Sequence, residues 1–317
     1  MVIRILKEPK KALITGISGF VGSHLATDLS SKGWTVSGYD LRPPRVECAF
    51  YSGDLSDVSA IKAAVRKSAP DIIFHLAGIL KSESYETHYK AHVFATISLL
   101  DALAVSGKSP KVIIASSSAV YGPGAGRRPL TESFDLRPQT HYALSKAAQE
   151  MVAQRYGHVY GFPVICVRTF NLLGPGLSPE MACSSFARQI AIAEHSGRAA
   201  VISTGDLSAK RDFLDVRDAV CAYALIAEHG EPGETYNVCS GHAVAISECL
   251  DILLRQARVT VDAVLDPAKV QKNDVPIQVG SAKKLKQLTG WEPIVSVEQS
   301  LIDLLNDWRQ RVEMEQT

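Results

Sequence analysis

From Lys11 onward, a short apolar run, a glycine-rich or polar turn and a stretch of helical period recur in that order, and this alternation constrains the fold more than any other feature of the chain. The runs ALIT (12–15), TVSGYD (35–40), DIIFHLA (71–77), KVIIAS (111–116) and VICVRT (164–169) read as strands, with helices predicted near 20–32, 57–68, 87–106 and 142–157. Strands that are apolar along their whole length need cover on both faces, and alternating helices supply it, so the pattern predicts an α/β fold built on a doubly wound parallel sheet. The character changes after Thr169: FNLLGPGLSPE is loop-like, and Pro and Gly recur around 232–241 and 267–293. The expected division is a first domain over 1–170 with a return segment near 213–240, and a smaller mixed region from 171–212 and 241–317.

The charge balance narrows what such a sheet serves. With 34 Lys plus Arg against 33 Asp plus Glu, the formal charge is +1 and the basic runs are two or three residues long, which lacks the clustered excess that phosphate neutralisation along a nucleic acid requires. No segment approaches the roughly 18 consecutive apolar residues of a membrane span, and MVIRILKEPKK is too short in apolar residues for a secretory signal. The expectation is a cytoplasmic protein without nucleic-acid or membrane partners. Cys48, Cys166, Cys183, Cys221, Cys239 and Cys249 show neither C-x-x-C pairs nor zinc spacing, so neither disulfides nor a metal site is expected.

Directly after the first strand, TGISGFVG places Gly16, Gly19 and Gly22 at G-x-x-G-x-x-G spacing and opens a helix. In such a turn the first glycine permits the tight bend, the second lets the backbone approach a pyrophosphate, and the third allows close packing of helix on sheet. The next strand ends in Asp40, 18 residues beyond Gly22, where a carboxylate can accept hydrogen bonds from an adenosine ribose and repel a 2′-phosphate. That favours NAD(H) over NADP(H), although Arg42 is close enough in sequence to reach such a phosphate. Asp54 in SGDLSD is placed either to meet an adenine amino group or to cap the helix after it. Further on, HYALSK puts Tyr142 and Lys146 one helical turn apart on one face, downstream of the hydroxyl-rich strand end VIIASSSAVYG. A phenol of ordinary pKa near 10 is a poor base at neutral pH, and about 4 kcal/mol of differential stabilisation is needed to bring it near 7. An adjacent lysine together with an oxidised nicotinamide is the expected source.

TGISGFVG (15–22), HLAG (75–78), SSSAVYG (116–122), YALSK (142–146) and RTFNLLGPG (168–176) together resemble the extended short-chain dehydrogenase/reductase family of nucleotide-sugar epimerases, dehydratases and reductases. The resemblance runs from about residue 11 to 308 and implies a Rossmann-type sheet with a C-terminal substrate-binding region, a nicotinamide cofactor and a homodimer formed through the helices near 87–106 and 142–157. It implies Ser117, Tyr142 and Lys146 as catalytic residues. Tyr142 would exchange the proton of a sugar oxygen, Ser117 would hydrogen-bond that oxygen, and Lys146 would hold the nicotinamide ribose. Cofactor contacts implied alongside Gly16, Gly19, Gly22, Asp40, Arg42 and Asp54 are Phe20, Val21, Leu55, Leu76, Ala77, Gly78 and Lys81.

Dehydratases of this family carry an acid two positions after the catalytic hydroxyl, where this chain has Ala119, so a 4,6-dehydratase is disfavoured. SSFARQIAIAE (184–194), GDLSAKRDFLDVRDAVCAY (205–223), ETYNVCSG (234–241) and DVPIQVGSAKKLKQLTGWEP (274–293) are most similar to reductases acting on GDP-4-dehydro-6-deoxy-D-mannose, which make GDP-D-rhamnose or its C4 epimer. By that resemblance Ser118, Asn171, Arg188, Arg211 and Asp274 join Ser117 and Tyr142 in binding a GDP-sugar. The alternative is an NAD-dependent nucleotide-sugar 4-epimerase using the same residues. Two departures stand out. Gln271 occupies the position where relatives usually have a phosphate-clamping Arg, and His92 replaces the Asn that usually begins its helix motif. His92 reads either as a substitute for that amide or as a satisfied buried histidine.

Overall fold

The apolar runs become neighbouring strands because each one, capped by a turn, packs a two-sided apolar ribbon between helices. The computed structural model describes residues 9–107, 109–123, 128–270 and 275–315. In chain order the first elements are β1 (Lys11–Thr15), α1 (Phe20–Ser31), β2 (Thr35–Asp40), β3 (Ala49–Ser52), α2 (Val58–Ser68), β4 (Ile72–His75), α3 (Tyr85–Tyr89), a π-helical turn (Lys90–Phe94), α4 (Ala95–Ser106), β5 (Lys111–Ser117), α5 (His141–Tyr160) and β6 (Val164–Thr169). They are followed by β7 (Asn171–Leu173), α6 (Ala182–Ser196), β8 (Ala200–Thr204), β9 (Lys210–Asp215), α7 (Val216–His229), β10 (Thr235–Val238), β11 (Ala243–Ala245), α8 (Ile246–Arg255), β12 (Val261–Leu265), β13 (Ile277–Gln278), α9 (Lys283–Thr289) and α10 (Val297–Glu315).

Among the described residues, seven strands form one sheet in the order β10-β6-β5-β4-β1-β2-β3. The pairs β1–β2, β2–β3, β1–β4 and β4–β5 run parallel, with Ala12 opposite both Val36 and Ile72. This is the expected Rossmann-type arrangement, in which the chain winds outward from β1 to one edge and then crosses to continue from β4. Leu13, Ile73, Val112 and Ile114 form one buried cluster with Leu99 and Leu103 of α4 and Ala153 and Tyr156 of α5. Burial of each such Leu or Ile contributes about 1.5–3 kcal/mol before ordering costs.

The chain divides into two units. The first runs to Val120 and adds Thr140–Arg168 and Tyr223–Tyr236; the second takes Tyr121–Gln139, Thr169–Ala222 and the chain from Asn237 on. Tyr223–Tyr236 thus clusters with the first unit and Tyr121–Gln139 with the second. That second unit carries a mixed sheet of β11, β9 and β13 with β7 also on β9, and a parallel pair of β8 and β12. Within it, α10 anchors to α6 through Trp308, whose indole N–H donates to Ser184 Oγ at 2.8 Å.

The predicted helix over 87–106 is interrupted by the π-helical turn at Lys90–Phe94. All six cysteines are free thiols. Among the described residues no helix is long and apolar enough to cross a membrane.

Candidate active site

The strand order reverses between β1 and β4; the glycine turn follows β1, Arg42 follows β2, Asp54 and Leu55 follow β3, Leu76, Ala77, Gly78 and Lys81 follow β4, and Ser117 ends β5. At the glycine turn the backbone itself demands glycine twice. Gly16 has φ +74°, and a Cβ there would lie 2.7 Å from the backbone of Ala77. A Cβ on Gly22 would lie 2.2 Å from the Gly16 carbonyl oxygen. Gly19 differs: within 4 Å its Cβ would meet Gly16 O alone, at 3.2 Å, so its absence of a side chain matters for what approaches from outside. Gly19 is also the N-cap of α1, whose first turn, Phe20 and Val21 included, has neither a side-chain cap nor an acid. Such an end presents unsatisfied N–H groups and a positive dipole to an anion.

Asp40, at the end of β2, turns its carboxylate toward this loop and accepts from Ser18 N at 3.0 Å, Leu41 N at 2.7 Å and Arg42 N at 3.3 Å. Arg42 is exposed. Of the two readings of Asp54, the helix cap is not the one the structure takes. Asp57 caps α2, accepting from Ser59 N and Ala60 N at 3.0 Å, while Asp54 closes a turn on Ser56 N at 2.7 Å and stays exposed. Leu55 packs partly buried against the core. After β4, Leu76 and Ala77 are half-buried, and Gly78 and Lys81 are exposed.

α5 brings Tyr142 and Lys146 to the end of β5. Thr140 caps the helix, its Oγ1 accepting from Ala143 N at 3.1 Å. The face that α5 buries includes Ala143, Lys146, Gln149, Glu150, Ala153 and Tyr156, a spacing of 3, 3, 1, 3 and 3 that would normally be filled with apolar residues. Tyr142 is hydrogen-bonded to Ser117. Ser117 Oγ also accepts from Ala119 N at 3.2 Å, and Ser118 beside it is buried. Burial pushes the Tyr142 hydroxyl above its ordinary pKa, and the Ser117 bond pulls partly the other way. Burial thus works against the expected depression of this pKa, and Ser117 only partly offsets it.

Lys146 is buried, and its ammonium donates to the Ala115 carbonyl at 2.8 Å and to Gln149 Oε1 at 3.0 Å. Burial lowers its pKa to about 8, against the opposing pull of the Glu150 carboxylate. Glu150 is itself occupied by Arg168, which donates from Nη2 at 2.8 Å, and by the Ser116 hydroxyl. His92 is both buried and satisfied: Nε2 accepts from Ile79 N at 3.2 Å and Nδ1 meets Ser145 Oγ at 2.8 Å. Its ring stands edge-on to Tyr142 at 5.6 Å, and burial lowers its pKa to about 2, so it stays neutral.

In the second unit Asn171 Nδ2 donates to Asp212 O at 3.3 Å, Arg211 Nη1 donates to the Val275 carbonyl at 2.5 Å, and the Arg188 guanidinium lies 5.8 Å from the Trp308 ring centre. Asp274 and Gln271 lie outside the described residues. Gln149, Thr96 and His75, which bond in series to Lys146, were not singled out as site residues; a buried Gln one turn from a Lys carries no local signature. Among the described residues no cluster of His, Cys, Asp and Glu is able to hold a metal ion.

Comparison with known proteins places this geometry. The model of the NAD dependent epimerase/dehydratase family matches residues 12–239. The GDP-6-deoxy-D-mannose reductase of Pseudomonas aeruginosa is 34% identical over 96% of this chain and 99% of its own. The solved structure of RMD from Pseudomonas aeruginosa complexed with NADPH superposes with a TM-score of 0.84 at 32% identity, covering 95% of this chain and all of that one. The UDP-glucose 4-epimerase of Thermus thermophilus in complex with NAD gives a TM-score of 0.84 at 27% identity, covering 94% and 98%.

Proposed function

The chain belongs to the NAD dependent epimerase/dehydratase family, and we propose that within it the enzyme reduces the C4 ketone of a GDP-4-dehydro-6-deoxyhexose to give a GDP-6-deoxyhexose such as GDP-D-rhamnose. Membership makes it an NAD(P)-dependent nucleotide-sugar oxidoreductase of the extended short-chain type. The residues fit such a cofactor: the open side at Gly19, the uncapped start of α1 and the Asp40 carboxylate suit a pyrophosphate and an adenosine ribose. Phe20, Val21 and Lys81 would meet the phosphates, Asp54 and Leu55 the adenine, and Leu76, Ala77 and Gly78 would complete the cofactor site. Asp40 favours NAD(H), because its charge opposes a 2′-phosphate. Bound in reduced form, the cofactor supplies a hydride.

Everything else falls to the protein. The observation that carries this reading is a Tyr142 hydroxyl beside Ser117, one turn from a buried lysine that takes two neutral acceptors. A protonated phenol suits reduction, since it is a donor for the oxygen that becomes the C4 hydroxyl. Ser117 hydrogen-bonds the same oxygen. As Tyr142 gives up its proton, the Lys146 charge steadies the phenolate, and its remaining N–H is available for a ribose hydroxyl. Ala119 cannot act as the base that elimination at C5 and C6 requires. Ser118, Asn171, Arg188, Arg211 and Asp274 are assigned to the GDP-sugar. Phe94 at the end of the π-helical turn, Val105 on α4 and Leu144 and Met151 on α5 are exposed, 60% and 69% for Phe94 and Met151, which supports a homodimer through these helices.

The test is oxidation of NADH and NADPH in the presence of GDP-4-dehydro-6-deoxy-D-mannose. Stoichiometric loss of nicotinamide absorbance, faster with NADH, is expected. No loss, together with NAD retained through purification, would assign a 4-epimerase instead.

A further inference from the structure

Lys146 is a buried cation whose own helix offers it an acid one turn on, yet Glu150 is committed to Arg168 and Ser116. The ammonium meets an amide instead. Gln149 is fully buried, and its Nε2 donates to Thr96 Oγ1 at 2.8 Å while its Oε1 accepts from Lys146 at 3.0 Å. Thr96 in turn donates to the His92 carbonyl at 2.7 Å, so its remaining bond to His75 Nε2, at 3.0 Å, must be one in which His75 donates. His75 then accepts at Nδ1 from Thr15 Oγ1 at 2.8 Å. One neutral tautomer of His75 satisfies every group in the series, and it leaves Gln149 a single orientation, carbonyl toward Lys146.

We propose that Gln149 is a positioning residue that holds the Lys146 ammonium in place without cancelling its charge. This rests on the role assigned above to Lys146 beside Tyr142. An aspartate or glutamate would hold the ammonium as firmly but would neutralise the field that steadies the Tyr142 phenolate. It would also lack the N–H that anchors the side chain to Thr96. An apolar residue would preserve packing but leave the buried charge with one acceptor fewer. The other groups facing Lys146 do not substitute for the amide. His75 from β4 and His92 from the π-helical turn are neutral, Tyr142 is protonated, and Arg168 from β6 is tied to Glu150.

The test is a titration of Lys146 in the full chain without added nucleotide, read by lysine-selective NMR and assigned with Lys146→Met. The wild-type midpoint is expected near pH 8. Gln149→Glu raises it by about one pH unit, a tenfold gain in proton affinity, and Gln149→Met lowers it by about as much. Thr96→Val, which removes the anchor and keeps the shape, lowers it by less. The alkaline limb of the turnover profile moves in the same opposite directions. A purely structural role would slow both Gln149 variants without opposed displacements. Midpoints that stay put, or that move the same way in Gln149→Glu and in the two uncharged variants, overturn the proposal; if Gln149→Met does not fold, Gln149→Glu and Thr96→Val decide it. Full turnover by Lys146→Met would refute the role of Lys146 while the titration still reports on Gln149, so the two failures are distinguishable.

Discussion

Two buried charges, one in each unit, face neutral partners and are used differently. In the first unit Lys146 has two acceptors for three N–H donors and lies beside Tyr142 and Gly78. In the second unit Asp212, fully buried on β9, accepts from Ser240 N at 2.8 Å, Ser240 Oγ at 2.6 Å, Gly241 N at 2.9 Å and Gly280 N at 3.0 Å. A carboxylate has about four acceptor sites, so Asp212 is saturated. Burial pushes both groups toward neutrality, Lys146 down and Asp212 up. The saturated charge staples two loops to a strand, and the unsaturated one retains bonding capacity for a ligand. On the proposed role of Lys146, counting a buried charge's spare bonds separates architecture from chemistry.

Mutation of each charge sharpens that contrast. Lys146→Met is expected to lower turnover by about 10³-fold, equivalent to about 4 kcal/mol, with no loss of stability, because a desolvated cation is replaced by an apolar side chain. Kinetics and chemical denaturation of the same sample measure both. Asp212→Ala is expected to do the reverse, costing about 3 kcal/mol of unfolding free energy as three backbone donors, that of Gly280 buried and those of Ser240 and Gly241 part-buried, lose their acceptor. Large stability loss in the lysine variant would erase the distinction.

Acid separates the two regions more gently. His75 and His92 titrate at about 3 and about 2 in the fold, against 6.5 unfolded, so the unfolded chain takes up protons first as pH falls. Their stabilising contribution is complete above 6.5 and is lost below it, at about 1.4 kcal/mol per pH unit for each ring. Asp212 has the opposite sign: its raised pKa means that acidification from its folded value toward 3.8 adds stability. Denaturation between pH 6.5 and 5 is expected to show a slope that flattens in His92→Asn, which has nothing to titrate; an unchanged slope would count against a neutral His92. The smallest expected effect belongs to Asp57→Ala, about 1 kcal/mol for a lost helix cap, with Asp54→Ala leaving α2 unaffected.

Much of the fold is legible in the sequence. Gly16 and Gly22 stand out by their spacing in the turn, although the backbone that excludes a side chain at Gly16 is that of Ala77, far away in the chain, and only Gly22 meets its own turn; Tyr142 and Lys146 are brought together by helical spacing alone. β3 was not predicted because AFYS is short and at most half-buried, and β10 because TYNV lies in a segment punctuated by Pro and Gly. The choice between Asp54 and Asp57 as cap turns on where the first helical N–H groups fall, which composition does not specify. The π-helical turn hides inside a continuous helical period, and Gln149 meets Thr96 across 53 residues of sequence. Neither the insertion of a residue into a turn nor a contact over that separation leaves a periodic trace.

The central claim is that a hydride reaches C4 of the sugar while Tyr142 supplies the proton. Incubation of the enzyme with deuterium-labelled reduced cofactor and GDP-4-dehydro-6-deoxy-D-mannose, followed by analysis of the product sugar, tests it directly. The account predicts deuterium at C4 in the wild-type product and label transfer slower by about 10³-fold in Tyr142→Phe. Label absent from C4, or transferred at an undiminished rate by the phenylalanine variant, would contradict it.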